Sequence, residues 1–546
     1  MDRRAESIIA ERNRERSKQA NFRSLWQETA DLIFPRENRI TSSTTAGIDK
    51  SRDVCDTTAI MDSQDMASGL SSTFIPPGRS FFGLKVRDRE LAKNEEVNRY
   101  LSEASEITHD ELFSSNFLLQ LNETLRSLVV FGTGNLFSEW DNSTGRLNFK
   151  DFDISLYQIL EDAGGNVNTV ILTFDRTARQ AADAFGTENL GPEILKALEK
   201  PETENNAFEF IHRVGPRRDR NVRLSDNLNM PFESVYVDVK GRKIVAEGGF
   251  EEFPFAVVRW MKSSYEKYGR GQGTEVLGDV KVLQQIKMDF IECGNKWNHP
   301  PLEIEDTFEG TPNMSPDAVN LVRKVGTIQG ISPTAMGNFP ITREMLEFQQ
   351  DIIHRAFFRD VFVQLADLKG DRRTTVEIYE RIKEGLRRLA LPVARLESEL
   401  FDKVITRSVL LLIRNGRIAP IPPELAGQPF GIEYTGVLAL ALRSQQAKGF
   451  MQFAATVGEL AAIFPEATDI IDIDDALPDI ARSFGVKTEH LASEAQIAEK
   501  RRIRAEQLQA QQLLQAGMAA AEGYGKTNKA PEEGSPAGEL INAVKE

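Results

Sequence analysis

Cysteine is almost missing from this chain: Cys55 and Cys293 are the only two in 546 residues. They lie far apart and neither sits in a C-x-x-C pair, which excludes a disulfide framework or a zinc ribbon and fits a reducing folding environment. Histidine is nearly as scarce, and His109, His212, His299, His354 and His490 are scattered without the spacing of metal ligands. No apolar run approaches the ~20 residues that span a bilayer, so no membrane association is expected. Met1 to Lys18 is dominated by Arg and Glu and lacks the apolar stretch of a secretory leader, so none is expected. A Walker A sequence is absent, which argues against an ATP-driven motor, and so is the G-x-S-x-G elbow of serine hydrolases.

What the chain has is an ample apolar fraction, 40%, beside 27% charged residues, the balance of a globular protein with a sizeable core. Its length allows about three or four ordinary domains, or fewer large ones. The net charge is −15. Proteins that grip DNA neutralise phosphates with basic patches. A chain of the opposite sign is suited to passing DNA along, not holding it, although acidity also serves plain solubility.

Periodicity gives an α+β, mainly helical chain. Phe22, Leu25, Trp26, Thr29, Leu32 and Ile33 share one helical face, which Pro35 stops. A second helix starts at Asp56, a plausible N-cap, and runs to about Phe74 with small residues that invite close packing. Phe81 to Val86 reads as a strand, followed by helices from Asn94 to Ser114 and from Phe117 to Val130. Short strands then follow at 135–140, 147–149, 157–161 and 169–174, with Asp162 to Asn166 as a hairpin turn. Two short helices, 178–185 and 192–198, precede strands at 208–214, 235–239, 243–247 and 255–260.

From Thr274 the pattern changes to long amphipathic helices. One runs from Thr274 to Trp297 and is stopped by His299-Pro300-Pro301. A second covers Ile341 to Phe362. A third opens on the capping pair Thr374 and Glu377 and continues through Tyr379, Ile382, Leu386, Leu389, Val393, Leu396 and Leu400 to Asn415-Gly416. It would be roughly 60 Å long, with a kink expected at Pro392. Beyond a proline-rich linker the chain is again helical, at 438–464, 474–484 and 493–514. The segment after Gly517 lacks a core-forming pattern and is expected to be disordered.

Several patterns resemble chemistry and read better as structure. Gly271-Gln272-Gly273 with Gly278 has Val276 where the third glycine of a dinucleotide loop belongs, so a helix-entry loop is expected. Phe131-Gly132-Thr133-Gly134-Asn135 reads as a helix-to-strand turn. Asp472, Asp474 and Asp475 lack the glycine and closing glutamate of a calcium loop, and fit a solvated helix start. No catalytic, cofactor-binding or metal-binding set emerges. Lys369, Arg372 and Arg373 crowd one loop of this otherwise acidic chain. Two readings stand for them: a solvated loop, or a mobile loop that touches a polyanion.

The order of parts resembles the head-to-tail connector (portal) family of podovirus-type, short-tailed, double-stranded DNA phages, from about Phe22 to Ala510. The resemblance rests on Ser63-Gln64-Asp65-Met66-Ala67-Ser68-Gly69-Leu70 followed by Pro76-Pro77-Gly78-Arg79-Ser80-Phe81-Phe82, and on Leu128 to Asn135. It rests also on Tyr157-Gln158-Ile159 with the Gly164 to Val167 hairpin. Most telling is the series Phe255 to Trp260, Tyr268-Gly269-Arg270-Gly271 and Leu277 to Lys281. Their order and spacing carry the match; the C-terminal tail carries no such signature.

The resemblance implies a non-enzymatic subunit of a dodecameric ring with a central DNA channel. It implies a wing (1–270), a first stem helix (271–297), a clip (298–340), a second stem helix (341–363) and a tunnel loop (364–373). A long kinked wing helix with linker (374–433), a crown (434–516) and a tail (517–546) complete the chain. The implied partners are double-stranded DNA, the packaging terminase, a tail adaptor, and the major capsid and internal core proteins. The implied location is the portal vertex of the virion, after synthesis in the host cytoplasm. Lys369, Arg372 and Arg373 would then meet DNA in the channel. Competing readings are another head or scaffold protein with helical arms, a phosphate-binding enzyme using the Gly269 to Gly278 loop, and a coiled-coil interaction protein.

Overall fold

The computed structural model describes residues 2–37, 39–42, 54–76, 80–88, 91, 94–224, 226–298, 302–304, 306, 311, 328–330, 339–362, 388–425, 427–428, 430–435, 449–460, 477, 497, 499–511 and 515. The chain divides into two units, Met1–Ala441 and Leu442–Glu546. In the second unit the described residues are helical at 449–460 and 499–511.

The first unit mixes helices and antiparallel sheets. Helix α2 (Ala20–Ile33) buries Trp26, Thr29 and Ile33 of the face read from the sequence, and Ala30 beside them. α3 (Thr58–Phe74) follows with Thr57, not the expected Asp56, at its N-cap; Asp56, one residue earlier, accepts from the Thr58 N–H through Oδ1 at 2.9 Å. α4 (Glu95–Ser114) is capped by Asn94, and α5 (Phe117–Phe131) ends on Gly132 at φ +87°. A central three-stranded sheet pairs β2 (Thr133–Asp141) with β3 (Arg146–Asp151) and with β9 (Phe255–Arg259). A five-stranded meander runs in order from β4 (Tyr157–Glu161) and β5 (Val167–Thr177) through β6 (Ala207–Pro216) and β7 (Phe232–Asp238) to β8 (Lys243–Phe250). At its first hairpin Asp162 Oδ1 accepts from the Gly164 and Asn166 N–H groups, and Gly165 takes φ +80°. Helices α6 (Ala178–Phe185) and α7 (Pro192–Leu198) close a small core over this sheet with Phe210 and Val245.

Three features differ from the sequence reading. The first is a helix, α1 (Arg3–Lys18), ahead of the first expected one. Its apolar residues are only Ala5, Ile8, Ile9 and Ala10, the first three set on Ile171, Ile211, Val235 and Val237 of the meander. Ion pairs do the rest: Arg4 reaches Glu233 (2.7 Å) and Glu247 (2.8 Å), and Glu11 receives Arg213 (2.8 Å). The second is β12 (Phe430–Tyr434), which pairs with β1 (Phe82–Val86) across most of the chain. The third lies in the long C-terminal helix, described from residue 388. Pro392 sits within regular helix, and the irregularity comes after it as a π turn, Leu396–Phe401, before α11 (Asp402–Arg414). Leu389, Val393, Leu396 and Leu400 are buried as their spacing predicts, and the run stops at Asn415 and Gly416 (φ +69°).

The two long helices expected from Thr274 onward are present. A single turn, α8 (Gln272–Glu275), leads into α9 (Leu277–Asn298). α10 (Phe339–Ala356) packs against α9. Between them the described residues include an antiparallel pair, β10 (Leu302–Ile304) with β11 (Ile328–Gly330). α10 ends six residues before the expected Phe362: the chain breaks at Phe357-Phe358 and is helical again over 359–362.

Candidate functional site: the long helix pair and its joints to the body

The α9–α10 pair is fixed to the body by one side. Val280, Leu283, Ile353 and Phe357 enter the main core. Beside them, a polar set gathers on the start of α3. Gln284 accepts from the Cys55 and Asp56 N–H groups (2.8 and 2.9 Å) and donates to the Asp56 carbonyl (2.8 Å). Gln350 of α10 donates to the Asp56 carboxylate at 3.0 Å, and Lys287 stands 3.8 Å from it. Buried Asp56 and the turn around it therefore receive both helices through matched hydrogen bonds.

One turn further along α3, Asp62 is only 2% exposed. Its carboxylate meets His354 Nδ1 at 2.5 Å and Arg359 Nη1 at 3.8 Å. Burial pushes the Asp62 carboxyl up from its ordinary range, and the His354 contact works against that push. A cavity of about 400 Å³ opens here, lined among others by Asp56, Asp62, Lys287, His354 and Arg359.

Elsewhere along the pair large apolar side chains are bare. Val282, Met288 and Ile291 of α9 and Met345 and Phe348 of α10 are 45–61% exposed. Large apolar side chains left bare on adjoining helices mark an interaction surface.

The glycine-rich loop before α9 is the second joint. The Trp260 N–H donates to the Gly132 carbonyl (2.9 Å), the Gly269 N–H to Thr133 Oγ1 (3.0 Å) and the Arg270 N–H to the Met261 carbonyl (2.7 Å). A Cβ on Gly271 would lie 2.5 Å from the Gly132 nitrogen and 2.6 Å from the Val129 carbonyl oxygen. These glycines let two backbones cross in contact. The loop is occupied by its own chain, which supports the helix-entry reading over a phosphate cradle.

A third joint holds the π turn. Arg259, 3% exposed, donates to Glu399 from its backbone N–H (2.9 Å) and from its guanidinium (2.6 and 3.3 Å). The same guanidinium pairs with Glu161 and reaches the Gly165 carbonyl at 3.1 Å. Glu161 also takes Lys262 at 2.6 Å. The sequence reading singled out Phe255 to Trp260 without assigning Arg259 a task. Its only signal was a cation inside an otherwise apolar strand.

The residues chosen from sequence for polyanion contact, Lys369, Arg372 and Arg373, lie outside the described residues. So do Asp472, Asp474 and Asp475. Among the described residues no His, Cys, Asp and Glu group has the arrangement of a metal site. No described helix is long and apolar enough to cross a membrane.

Among the described residues of the first unit, a body of three antiparallel sheets and packed helices carries one long helix pair with bare apolar side chains. The chain belongs to the bacteriophage head-to-tail connecting protein family, whose model matches residues 5–491, and is thus a structural component of a phage particle. It is similar to the portal protein of Salmonella phage epsilon15, 28% identical over 516 residues that make up 93% of this chain and 92% of the relative. It is also similar to the probable portal protein of Bordetella phage BPP-1, 24% identical over 91% of this chain and 90% of that protein. The portal protein of Escherichia phage T7 matches over a shorter stretch, 27% identical across 36% of this chain and 34% of that protein.

Proposed function

We propose that this chain is one subunit of a dodecameric portal ring, through whose channel DNA is packaged into the phage head and later ejected. The observation that carries the reading is the apolar flank left bare along α9 and α10 by Val282, Met288, Ile291, Met345 and Phe348, on a helix pair anchored to the body by Val280, Leu283, Ile353 and Phe357. A heterologous contact repeated around an axis covers such a flank on every copy and closes into a ring. In this reading the body forms the wing, α9 and α10 the stem, the segment between them the clip, residues 364–373 the tunnel loop and the chain after 434 the crown.

The clip would dock the packaging terminase and later a tail adaptor, and the rim would meet capsid and internal core proteins. The part played is structural, without catalysis. A net charge of −15 supports passage: a wall of like sign repels phosphates and keeps DNA from sticking. Lys369, Arg372 and Arg373 would supply brief cationic contacts that resist slippage.

Negative-stain electron microscopy with mass measurement in solution tests the reading. Rings with a central hole and a mass near a dozen copies are expected. A monomer that persists even when the other head proteins are co-expressed would overturn it. Neutralising Lys369, Arg372 and Arg373 together should leave rings intact while lowering DNA retention in filled heads. Unchanged packaging and retention would remove the loop from the account.

A further inference from the structure

The break at the end of α10 is strained. Phe358 takes φ +55°, one of two described non-glycine residues in the left-handed region, the other being Arg242. A bulky side chain there is an outlier, held only when its surroundings over-determine it. The local bonds are those of an interrupted helix: the Phe358 N–H reaches back only to the Arg355 carbonyl (3.3 Å). The Val361 and Phe362 N–H groups start a new turn on the Phe358 carbonyl.

Several contacts hold it, among them Arg359 Nη1 against the His354 ring at 3.1 Å, across the break itself. Arg388 lies over the Phe358 ring, 5.4 Å from its centroid. Phe362 lies against α3 at Gly69, where any Cβ would overlap its ring. Seven residues earlier on the same face of α3, Asp62 takes His354 from before the break and Arg359 from after it. The cavity beside these groups leaves room for the Arg359 side to move.

We propose that Asp62 is a positioning residue, the catch of a hinge at Phe358. Its carboxylate pins both sides of the break, and without it Phe358 relaxes to right-handed helix so that residues 339–362 run on continuously. The hinge sets the direction in which the chain leaves α10 toward residues 364–373. Its bearing on DNA therefore rests on the portal reading, but the hinge itself does not.

Hydrogen–deuterium exchange of the full-length chain, followed by mass spectrometry on peptides covering 357–362, tests it. In the relaxed helix the Arg359 and Asp360 N–H groups gain carbonyl partners. Asp62→Asn should therefore slow exchange in this peptide by roughly five- to thirtyfold, the factor that corresponds to one residue's left-handed penalty. Arg359→Met, at a side chain 44% exposed, should slow it in the same direction and decides the matter should Asp62→Asn not fold. Adding Phe358→Gly to either variant should reduce the slowing, because glycine occupies the left-handed region freely. Exchange that is unchanged or faster in the single variants, or slowed as much in the double variant, would overturn the proposal. None of these readings depends on ring formation, so loss of the hinge and loss of the portal reading are seen separately.

Discussion

Replacing Arg259 by methionine should loosen the joint between the central sheet and the π turn. Methionine fills similar volume, so the change removes charge and donors with little cavity. The loss is uneven. Glu161 keeps Lys262 at 2.6 Å. Glu399, with a side chain only 18% exposed, loses its bidentate partner and keeps the Arg259 backbone N–H. Removing one member of a buried pair costs about 3–5 kcal/mol, mostly because the other charge stays buried. With Glu161 still paired, the lower end applies, about 3 kcal/mol.

The assay is amide exchange across β9 and the π turn, where about 3 kcal/mol of lost protection appears as roughly a hundredfold faster exchange. Local exchange is preferred to a single melting temperature because a chain of two units need not unfold in one step. Arg259→Met combined with Glu399→Leu removes the orphaned charge and should recover most of the loss. Two results would refute the reasoning: a change below about threefold in the single variant, or a double variant as labile as the single one.

Gly271→Ala places a methyl group against the Gly132 nitrogen and the Val129 carbonyl, so destabilisation by about 2–3 kcal/mol is expected, with no change in nucleotide binding; denaturant titration beside a nucleotide-binding assay checks both. Ile8→Glu buries a charge under α1 and should free that helix, seen as rapid protease cleavage within residues 3–18 while the meander stays protected. Glu37 and Asp151 are pushed up to about 8 and about 7, in each case chiefly by burial. Their neutral forms favour the fold, so that contribution is whole below about pH 4 and is lost progressively as pH rises to 7 and 8; Glu37→Gln should flatten that fall in stability. His212, stacked on Tyr236 and pushed down to about 3 by burial, acts on the other side. Its neutral form favours the fold, so stability falls as pH drops below about 6.5 toward 3, and His212→Phe should reduce that acid loss.

Most helices and strands were legible because each carries a local period and a local stop. α5 ends on Gly132, the 162–166 hairpin closes on Asp162 and Gly165, and the long C-terminal helix ends at Asn415-Gly416. The misses share the opposite property. α1 has too few apolar residues to show a face, and it is held by glutamates more than two hundred positions away. The break at Phe358 falls inside an apolar run with no glycine or asparagine to announce it. β12 finds β1 across the whole body, a pairing without a local cue. The polar joint at Asp56 and Asp62 was hidden for another reason: an Asp or Gln at a helical position reads as a solvated face until the partner helix is in place.

The motifs that carried the family resemblance turn out to be joints. Ser63 to Leu70 lies on the part of α3 that faces α10, with Asp62 one residue before it and Gly69 inside it. Leu128 to Asn135 and Tyr268 to Gly271 are the two strands of chain that cross at Gly132. Phe255 to Trp260 holds Arg259 against Glu399. At each joint a Cβ, a charge or a donor has one place to go, so sequence freedom is small for physical reasons whatever the neighbouring core contains. The first two joints bear on one relation, the angle between the body and the α9–α10 pair, while the third ties β9 to the π turn within the body. Under the proposed ring, an error in that angle would be repeated in every subunit, and closure would tolerate little of it. In that reading the family signature is the set of contacts that orients the helix pair, while the exposed apolar residues of α9 and α10 need only remain apolar.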